Sequence, residues 1–413
     1  MLTELFHSTE PTSIPGSRVK VLFGSGSLDR LGELCKSLGG RRILLVTDPG
    51  IEAAGYPERA IRSMYQAQLV VKVFDHSDEN PTTETVQNGL REAKPFNPDL
   101  IVGLGGGSSM DTAKGVNFLL TNGGSISDYH GASKATKPML PMIAIPTTAG
   151  TGSEAQSYAL ISDPDTHVKM ACGDPKALPR LAILDPSLTA TQPPNIAAAT
   201  GIDAAAHAIE TSACNRRNDI SRSFSKEAWQ LLNAAYETVI SAAFSPSSPL
   251  APVLRGEGQG EGSSSKSKIE NRKSQMNLDE ARAKMLLGAH LAGCAIENSM
   301  LGAAHATANP LTSEFNITHG QAVGLMLPHV IRFNSNNGAN PYSDLHQNAP
   351  NLANRISSLL QFASIPSMLK AHNIPKEILP RLANLASQQW TAQFNPRPLT
   401  EADLLAIYQA AYS

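Results

Sequence analysis

The sequence predicts an α/β first domain, built on a parallel sheet with helices on both faces, followed by an all-helical second domain. In the first half of the chain, short apolar runs alternate with helical stretches, which is typical of parallel strands buried on both faces. After about residue 190, alanine, leucine, glutamate and lysine dominate with helical periodicity. We therefore predict two domains, 1–190 and 191–413.

Five apolar runs are predicted strands, and helical stretches lie between most of them. The strands are RRILLVTD at 41–48, QLVVKVFD at 68–75, PDLIVGLGGG at 98–107, LPMIAIPTT at 140–148 and LAILDP at 181–186. Helices are predicted at 82–94 and 108–120 in the first domain, and at 203–213, 221–244, 277–300 and 352–371 in the second. Residues 245–275 are rich in serine, glycine, proline and charge, which predicts a flexible surface insertion between two helices.

Composition narrows the class of protein. The 413 residues, 41% of them hydrophobic, suffice for two cores. With 34 basic and 36 acidic residues the net charge is −2, so nothing electrostatic favours nucleic acid or an anionic membrane as a partner. We find no membrane-spanning run, no signal peptide and no CxxC pair among the four cysteines. We therefore expect a cytoplasmic enzyme that acts on a small molecule.

The segment GLGGGSSMDTAKG at 103–115 follows a predicted strand and opens a predicted helix. Gly105, Gly106 and Gly107 allow the backbone to approach a phosphate closely. The helix behind them offers unpaired N–H groups and the positive end of its dipole. The segment lacks the GK[ST] ending of a P-loop. A tight strand-to-helix turn without a ligand explains these glycines equally well.

A second loop, IPTTAGTGSE at 145–154, also stands at a strand end. Its small hydroxylated residues could surround a pyrophosphate or a nicotinamide ribose, because ligands of open α/β sheets bind at the carboxyl ends of the strands. Alone it could be an ordinary polar loop, but two such loops favour a dinucleotide. Asp48, at the end of the first strand, could bind the adenosine ribose and repel the 2′-phosphate of NADP. Asp-Pro is also a common turn start.

Four residues form a candidate metal site: Asp203, His207, His305 and His319. The first two are four residues apart in GIDAAAHAIE and share one face of a helix. One carboxylate and three imidazoles suit a borderline cation such as Fe(II) or Zn(II). Each histidine alone could instead be an ordinary polar or core residue. Competing candidates in neighbouring sequence are Glu210, His290 and His329.

Together, these motifs resemble the signatures of the iron-containing, or group III, alcohol dehydrogenase family. GGGSSMDTAKG is similar to the phosphate loop of that family, and PTTAGTGSE to its second signature. GIDAAAHAIE and HGQAVGLMLPHVIRFN are similar to its metal-binding signatures. The match covers nearly the whole chain in the same order. The resemblance implies a Rossmann-like N-terminal domain and a helical, metal-binding C-terminal domain, in a dehydroquinate synthase-like architecture.

The resemblance also implies a set of site residues and a homo-oligomer, a dimer or larger. The metal ligands become Asp203, His207, His305 and His319, and neither His290 nor His329 occupies a ligand position. The implied contacts to NAD are Asp48, Asn80, Gly105, Gly106, Gly107, Ser108, Ser109, Thr147, Thr148, Lys169 and Leu188.

The chain departs from the family pattern at Asn309. Many members carry HxxxHPL where this chain has His305, three residues and then Asn309. The second histidine of that pattern lies close to the reaction without binding the metal. An asparagine cannot carry a proton near neutral pH, although it can hydrogen-bond a substrate oxygen. The proton path is therefore left unassigned, and Asn309 becomes a candidate substrate contact.

The expected activity is hydride transfer between NAD and an alcohol, or the corresponding aldehyde or ketone. The metal would act as a Lewis acid on the substrate oxygen, and the hydride chemistry belongs to the cofactor. Fe(II) is the favoured metal and Zn(II) the alternative. The alternatives for function are a hydroxyacid–oxoacid transhydrogenase, a maleylacetate reductase-like or glycerol dehydrogenase-like enzyme, and a catalytically silent nucleotide- or metal-binding protein.

Overall fold

The computed structural model describes residue 5 and residues 8–164, 169–245 and 276–412. The predicted insertion at 245–275 lies, apart from Ser245, outside the described residues. The described strands are β1 (Thr12–Ser13), β2 (Lys20–Phe23), β3 (Arg42–Val46), β4 (Val70–Phe74), β5 (Leu100–Gly105), β6 (Gly131–Ala132), β7 (Met142–Pro146), β8 (Tyr158–Ser162), β9 (Lys169–Gly173) and β10 (Leu181–Leu184). The helices among them are α1 (Leu31–Ser37), α2 (Pro49–Ala53), α3 (Tyr56–Gln66), α4 (Thr83–Phe96) and α5 (Gly107–Asn122).

Seven strands form one sheet in the order β1-β2-β10-β7-β5-β3-β4. Every neighbouring pair is parallel except β1 with β2. The prediction of a parallel sheet is confirmed, and its five predicted strands are present in shortened form. Strand β2 was not predicted, because its four residues make too short an apolar run. A second sheet, in the order β6-β9-β8, was not predicted either.

Helices cover both faces of the large sheet, as predicted. Successive side chains of a strand point to opposite faces. In β3, Ile43 and Leu45 pack in one core with residues of α1 and α3. The alternate residues, Leu44 and Val46, pack in another core with residues of α4 and α5. This two-sided burial explains why the central strands read as continuous apolar runs.

The second half is helical throughout the residues described after β10. Its helices are α6 (Pro194–Ala213), α7 (Asp219–Ala243), α8 (Leu278–Glu297), α9 (Ala303–Phe315), α10 (His319–Asn334), α11 (Ala349–Phe362), α12 (Leu379–Ser387) and α13 (Glu401–Ala410). Two predicted bounds were wrong. The helix predicted at 203–213 starts earlier, at Pro194, a residue favoured in the first helical turn. The helix predicted at 352–371 ends at Phe362, because Ser364 has a positive φ of 55° and Pro366 follows.

The large sheet and the helices share a core. Val21 of β2 and Leu184 of β10 are buried in the same cluster as Ile202 and Ile209 of α6. The predicted domain boundary near residue 190 falls between the end of β10 and the start of α6, and it stays a prediction. In the part of the chain that the structure describes, no helix combines the length and apolar character needed to cross a bilayer.

Candidate metal centre and dinucleotide loops

Three helices bring the four candidate metal ligands together. Asp203 and His207 lie one turn apart on α6, His305 lies in the first turn of α9, and His319 begins α10. The Nε2 atoms of His207 and His305 each lie 3.5 Å from Asp203 Oδ1, and that of His319 lies 3.9 Å away. The possible ligand atoms of Asp203, His207 and His305 all lie within 4.8 Å of one another, and His319 stands at the edge of this group with its Nε2 atom toward Asp203 Oδ1.

Close helix packing fixes the position of His319. A Cβ atom on Gly320, the next residue, would lie 2.1 Å from the carbonyl oxygen of Ala199 on α6. Only glycine lets the start of α10 approach α6 this closely. Ala199 lies one turn before Asp203, so this approach places His319 beside the pair on α6.

The atoms at the centre of this cluster fit a cation. Asp203 Oδ1 and His305 Nε2 are buried and have no hydrogen-bond partner among the described residues. An unsatisfied buried polar atom costs about 1–3 kcal/mol. A carboxylate oxygen and imidazole nitrogens with free lone pairs are ligands for Fe(II) or Zn(II). The donor set therefore fits a divalent metal of this kind.

Glu210 contacts the Nδ1 atom of His305, the ring nitrogen that does not face Asp203. Its Oε2 lies 2.5 Å from His305 Nδ1, and its Oε1 accepts a hydrogen bond from the N–H of Ala304 at 2.6 Å. A carboxylate at Nδ1 favours the tautomer with the proton on Nδ1, which leaves Nε2 free to bind a metal. Glu210 was a competing ligand candidate in the sequence, and the structure places it behind His305 instead.

The charges around the cluster keep most of its donors deprotonated. Burial raises the pKa of Asp203, but the neighbouring histidines, His207 first, lower it to a net value below the usual range. Burial also lowers the pKa of His207 and of His319. Burial lowers the pKa of His305 too, but Glu210 and Asp203 outweigh it and raise that pKa to about 9. A metal would displace the proton at His305.

The glycine turn opens α5 with its backbone exposed to a ligand. Gly105 has a φ of 151°, and a Cβ there would lie 2.3 Å from Ser109 Oγ. Gly106 is the N-cap residue of the helix, and as a glycine it makes no side-chain capping bond. The nearest described atom to a Cβ on Gly106, Thr148 Cγ2, would lie 3.6 Å away. This space beside unpaired helix N–H groups suits a phosphate.

The second loop lies against the glycine turn. Thr147 donates its N–H to the carbonyl of Gly105 at 3.0 Å. The hydroxyl oxygens of Thr147 and Thr148 are buried without a hydrogen-bond partner in the described part of the chain. Two unpaired hydroxyls next to an open helix N-terminus are consistent with a bound ligand between the loops.

Asp48 caps a helix, and its ribose-binding role stays a prediction. Its Oδ1 accepts from the N–H of Ile51 at 3.0 Å, so it caps α2 as an Asp-Pro turn start does. Its Oδ2 accepts from the hydroxyl of Ser109 at 2.7 Å, beside the glycine turn. A carboxylate has lone pairs beyond these two bonds, so Asp48 can also accept from ribose hydroxyls.

Three further predicted cofactor residues lie together near the start of α5. The N–H of Asn80 donates to Ser108 Oγ at 3.3 Å, and Lys169 Nζ donates to Asn80 Oδ1 at 3.2 Å. Leu188, in contrast, is only 1% exposed, and its side chain packs in the core. Its backbone is therefore the part that could contact a ligand.

The remaining candidates lie outside the cluster of candidate ligands. His290 is buried, with its Nδ1 3.1 Å from Glu154 Oε1 and its Nε2 near Cys294. The Nδ2 of Asn309, one turn after His305, donates to Gln389 Oε1 at 2.9 Å. Gln389 precedes a short 3-10 helix whose first residue, Trp390, stacks on Tyr158 with ring centroids 5.9 Å apart. Burial lowers the pKa of His329 to about 4.

The chain matches two family profiles that together cover most of its length. Residues 18–186 match the profile described as iron-containing alcohol dehydrogenase. Residues 267–412 match the C-terminal profile of the Fe-containing alcohol dehydrogenase family. The two profiles fall on the α/β half and the helical half, respectively.

Curated relatives and solved structures with similar sequences indicate the same family as the two profiles. Alcohol dehydrogenase 4 of Schizosaccharomyces pombe is 34% identical over 332 residues, which are 79% of this chain and 71% of the relative. The NAD-dependent methanol dehydrogenase of Bacillus methanolicus is 30% identical over 406 residues, 94% of this chain and 97% of the relative. A 1,3-propanediol oxidoreductase structure is 28% identical with a TM-score of 0.82, covering 96% of this chain and 98% of its own. Sulfoacetaldehyde reductase from Bifidobacterium kashiwanohense, solved with NAD+, is 26% identical with a TM-score of 0.80 and the same coverage.

Proposed function

The chain belongs to the iron-containing alcohol dehydrogenase family, and on that premise we propose that Asp203, His207, His305 and His319 hold its divalent cation. The protein is an NAD-dependent oxidoreductase that transfers a hydride between NAD and an alcohol, or the corresponding aldehyde or ketone. The observation that supports the ligand assignment best is the convergence of three Nε2 atoms on Asp203 Oδ1, with buried donor atoms left unpaired.

Each ligand has a distinct part in holding and exposing the cation. When bound, the cation supplies Lewis acidity toward the substrate oxygen. Asp203 contributes the negative charge, and Glu210 orients His305 through Nδ1. The side chain of His319 is 31% exposed, against 6% for His207 and 4% for His305. The substrate therefore approaches the cation from the side of His319.

We assign the nucleotide to the two loops. Gly105, Gly106, Gly107, Ser108 and Ser109 hold the pyrophosphate with backbone N–H groups at the start of α5. Asp48 binds the adenosine ribose and excludes a 2′-phosphate. The other contacts are Asn80, Thr147, Thr148, Lys169 and the backbone of Leu188.

The substrate is a small alcohol or its carbonyl counterpart, and Asn309 contacts it. The names of curated relatives include methanol dehydrogenase, lactaldehyde reductase and 1,3-propanediol dehydrogenase. The NH₂ group of Asn309 donates to Gln389, and its amide oxygen stays available as an acceptor. An acceptor near the metal suits a substrate with a second hydroxyl. A cytoplasmic location, a homo-oligomeric state and independence from nucleic acid stay predictions.

Two single substitutions test the metal assignment. His207→Ala and His319→Ala should each lose bound metal and NADH formation together, because each removes one of four ligands. Metal analysis of the purified variants and absorbance at the nicotinamide measure the two effects. His290→Gln, which changes a buried histidine outside the cluster, should keep its metal. Full activity in metal-free His319→Ala would contradict the assignment.

A further inference from the structure

We propose that Lys114, Asp111 and Ser153 form a buried anchor network that sets the affinity for the nucleotide without touching it. All three would act as positioning residues that hold the second loop against the glycine turn. The proposal rests on the proposed function, in which the glycine turn binds the phosphates of NAD.

Lys114 lies on α5, the helix that begins at the glycine turn, and its side chain is fully buried. Its Nζ donates to the carbonyl of Ser153 at 2.7 Å, to Ser153 Oγ at 2.8 Å and to the carbonyl of Tyr158 at 2.8 Å. An ammonium group has three donors, and these contacts use all of them. Lys114 therefore has no donor left for a ligand, and its three bonds hold the end of the second loop, at Ser153, and the start of β8, at Tyr158.

Asp111, one turn earlier on α5, completes the network. Its Oδ1 accepts from the hydroxyl of Ser153 at 2.7 Å, and its Oδ2 accepts from the N–H of Leu160 at 3.2 Å. Its carboxylate lies 3.8 Å from Lys114 Nζ. Burial raises the pKa of Asp111 and lowers that of Lys114, while each charge opposes the shift of the other. Both charges are thus compensated inside the protein.

Thr151 connects this network to the glycine turn. The N–H of Ser153 donates to Thr151 Oγ1 at 3.3 Å. The Cγ2 atom of Thr151 would lie 2.9 Å from a Cβ on Gly107, so the threonine packs directly on the glycine turn. Holding Ser153 on α5 therefore holds Thr151, and with it the wall opposite the helix N-terminus. The width of the space between the two loops follows from this contact.

A purely stabilising role would not need these charges. Replacing a buried ion pair by apolar side chains of similar volume is often neutral or stabilising. A network of directed bonds, in contrast, fixes one geometry, because each bond constrains distance and angle. Here the bonds converge on a single residue, Ser153, next to the candidate nucleotide site.

Ser153→Ala is the sharpest test, because it removes the hydroxyl shared by Lys114 and Asp111 and leaves both charges in place. We expect the Kd for NAD and for ADP-ribose to rise about tenfold, because the second loop loses its bonds to two charged groups and is no longer held firmly against the glycine turn. The kcat at saturating NAD and the metal content should stay close to wild type. Equilibrium titration of the purified metal-loaded enzyme measures the Kd.

Asn117→Ala is the matched control. Asn117 is also buried on α5, but within the described ranges its amide bonds only the backbone of Leu140, away from the second loop. This variant should lose stability and keep the wild-type Kd for NAD. Equal loss of NAD affinity in Asn117→Ala and Ser153→Ala would reduce the network to a structural role and overturn the proposal.

Two further variants distinguish an error in the anchor network from an error in the proposed nucleotide site. If Ser153→Ala does not fold, the charge-neutral pair Asp111→Asn with Lys114→Met keeps the volume, removes the three bonds of Lys114 and leaves only neutral acceptors at position 111, and it should weaken NAD binding in the same way. Gly106→Val blocks the phosphate space directly. Wild-type NAD affinity in Gly106→Val would refute the proposed nucleotide site itself. Weakened affinity there, with wild-type affinity in Ser153→Ala and in the double variant, would refute the anchor network alone.

Discussion

Replacing Glu210 by glutamine should weaken metal binding while leaving the affinity for NAD unchanged. Glu210 accepts two N–H groups at once, one from Ala304 and one from His305. A glutamine amide has one oxygen and one NH₂ group, so it can accept only one of the two. If its oxygen keeps Ala304, its NH₂ group faces His305 Nδ1 and favours the tautomer with a proton on Nε2. That proton would point toward Asp203 Oδ1 and block the proposed metal position.

The size of the effect follows from the geometry. Loss of a carboxylate behind a metal-bound histidine typically costs roughly 10- to 100-fold in metal affinity. This range equals about 1.4–2.7 kcal/mol. We expect the upper part of the range, because both oxygens of Glu210 are engaged and the residue is buried. The alternative orientation of the amide would instead place its NH₂ group against the N–H of Ala304. Either orientation therefore loses one of the two hydrogen bonds that Glu210 accepts.

The assay is a competition between the metal-free protein and a chelator for Zn(II), which is stable to oxidation, followed by anaerobic Fe(II). Glu154→Gln is a matched control, since Glu154 is also buried and also lies against the Nδ1 of a histidine, His290. That histidine is outside the proposed ligand set, so the control should bind metal as the wild type does. A wild-type metal Kd in Glu210→Gln, or an equal loss in both variants, would refute the reasoning.

Two further predictions concern the cofactor and the pH dependence of stability. Asp48→Ser should raise the NADP to NAD ratio of kcat/KM by removing the charge that repels a 2′-phosphate, and an unchanged ratio would exclude Asp48 as the selector. Burial lowers the pKa of His290, but Cys294 and Glu154 raise it to about 10, above the unperturbed value of about 6.5. Because the folded-state pKa is the higher one, this stabilisation is complete below about pH 6.5 and is lost as the pH rises to about 10. The Tm difference between wild type and His290→Gln should therefore shrink over that range, and a constant difference would contradict the ion pair.

Much of the fold was predictable because its signals are local. The strand Leu100–Gly105 is buried along its whole length, so the sequence shows a continuous apolar run followed by glycines. The four candidate ligands were predictable for a different reason, because the order of several motifs resembles a known family. Spacing alone supported only the pair Asp203 and His207, which share a helical turn.

The residues that support the site were not predictable from local patterns. Lys114 and Ser153 are 39 residues apart, and nothing in DTAK or TGSE indicates that they touch. Glu210 lies near Asp203 in sequence and looked like a ligand, but 95 residues separate it from His305, which it orients. Such partners are set by how the sheet and the helices pack. A sequence pattern indicates which residues carry chemistry more readily than which residues hold them in place.

The same packing connects the two halves of the site. A Cβ on Gly150 of the second loop would lie 2.4 Å from Thr200 Cβ, one turn before Asp203 on α6. A Cβ on Gly152 would lie 2.7 Å from the Cα of Gly293 on α8. The second loop therefore packs on the glycine turn on one side and on the helix that carries two of the proposed metal ligands on the other. Because closely packed interiors deform little, this loop fixes the spacing between the glycine turn and α6, and with it the spacing of the two proposed sites.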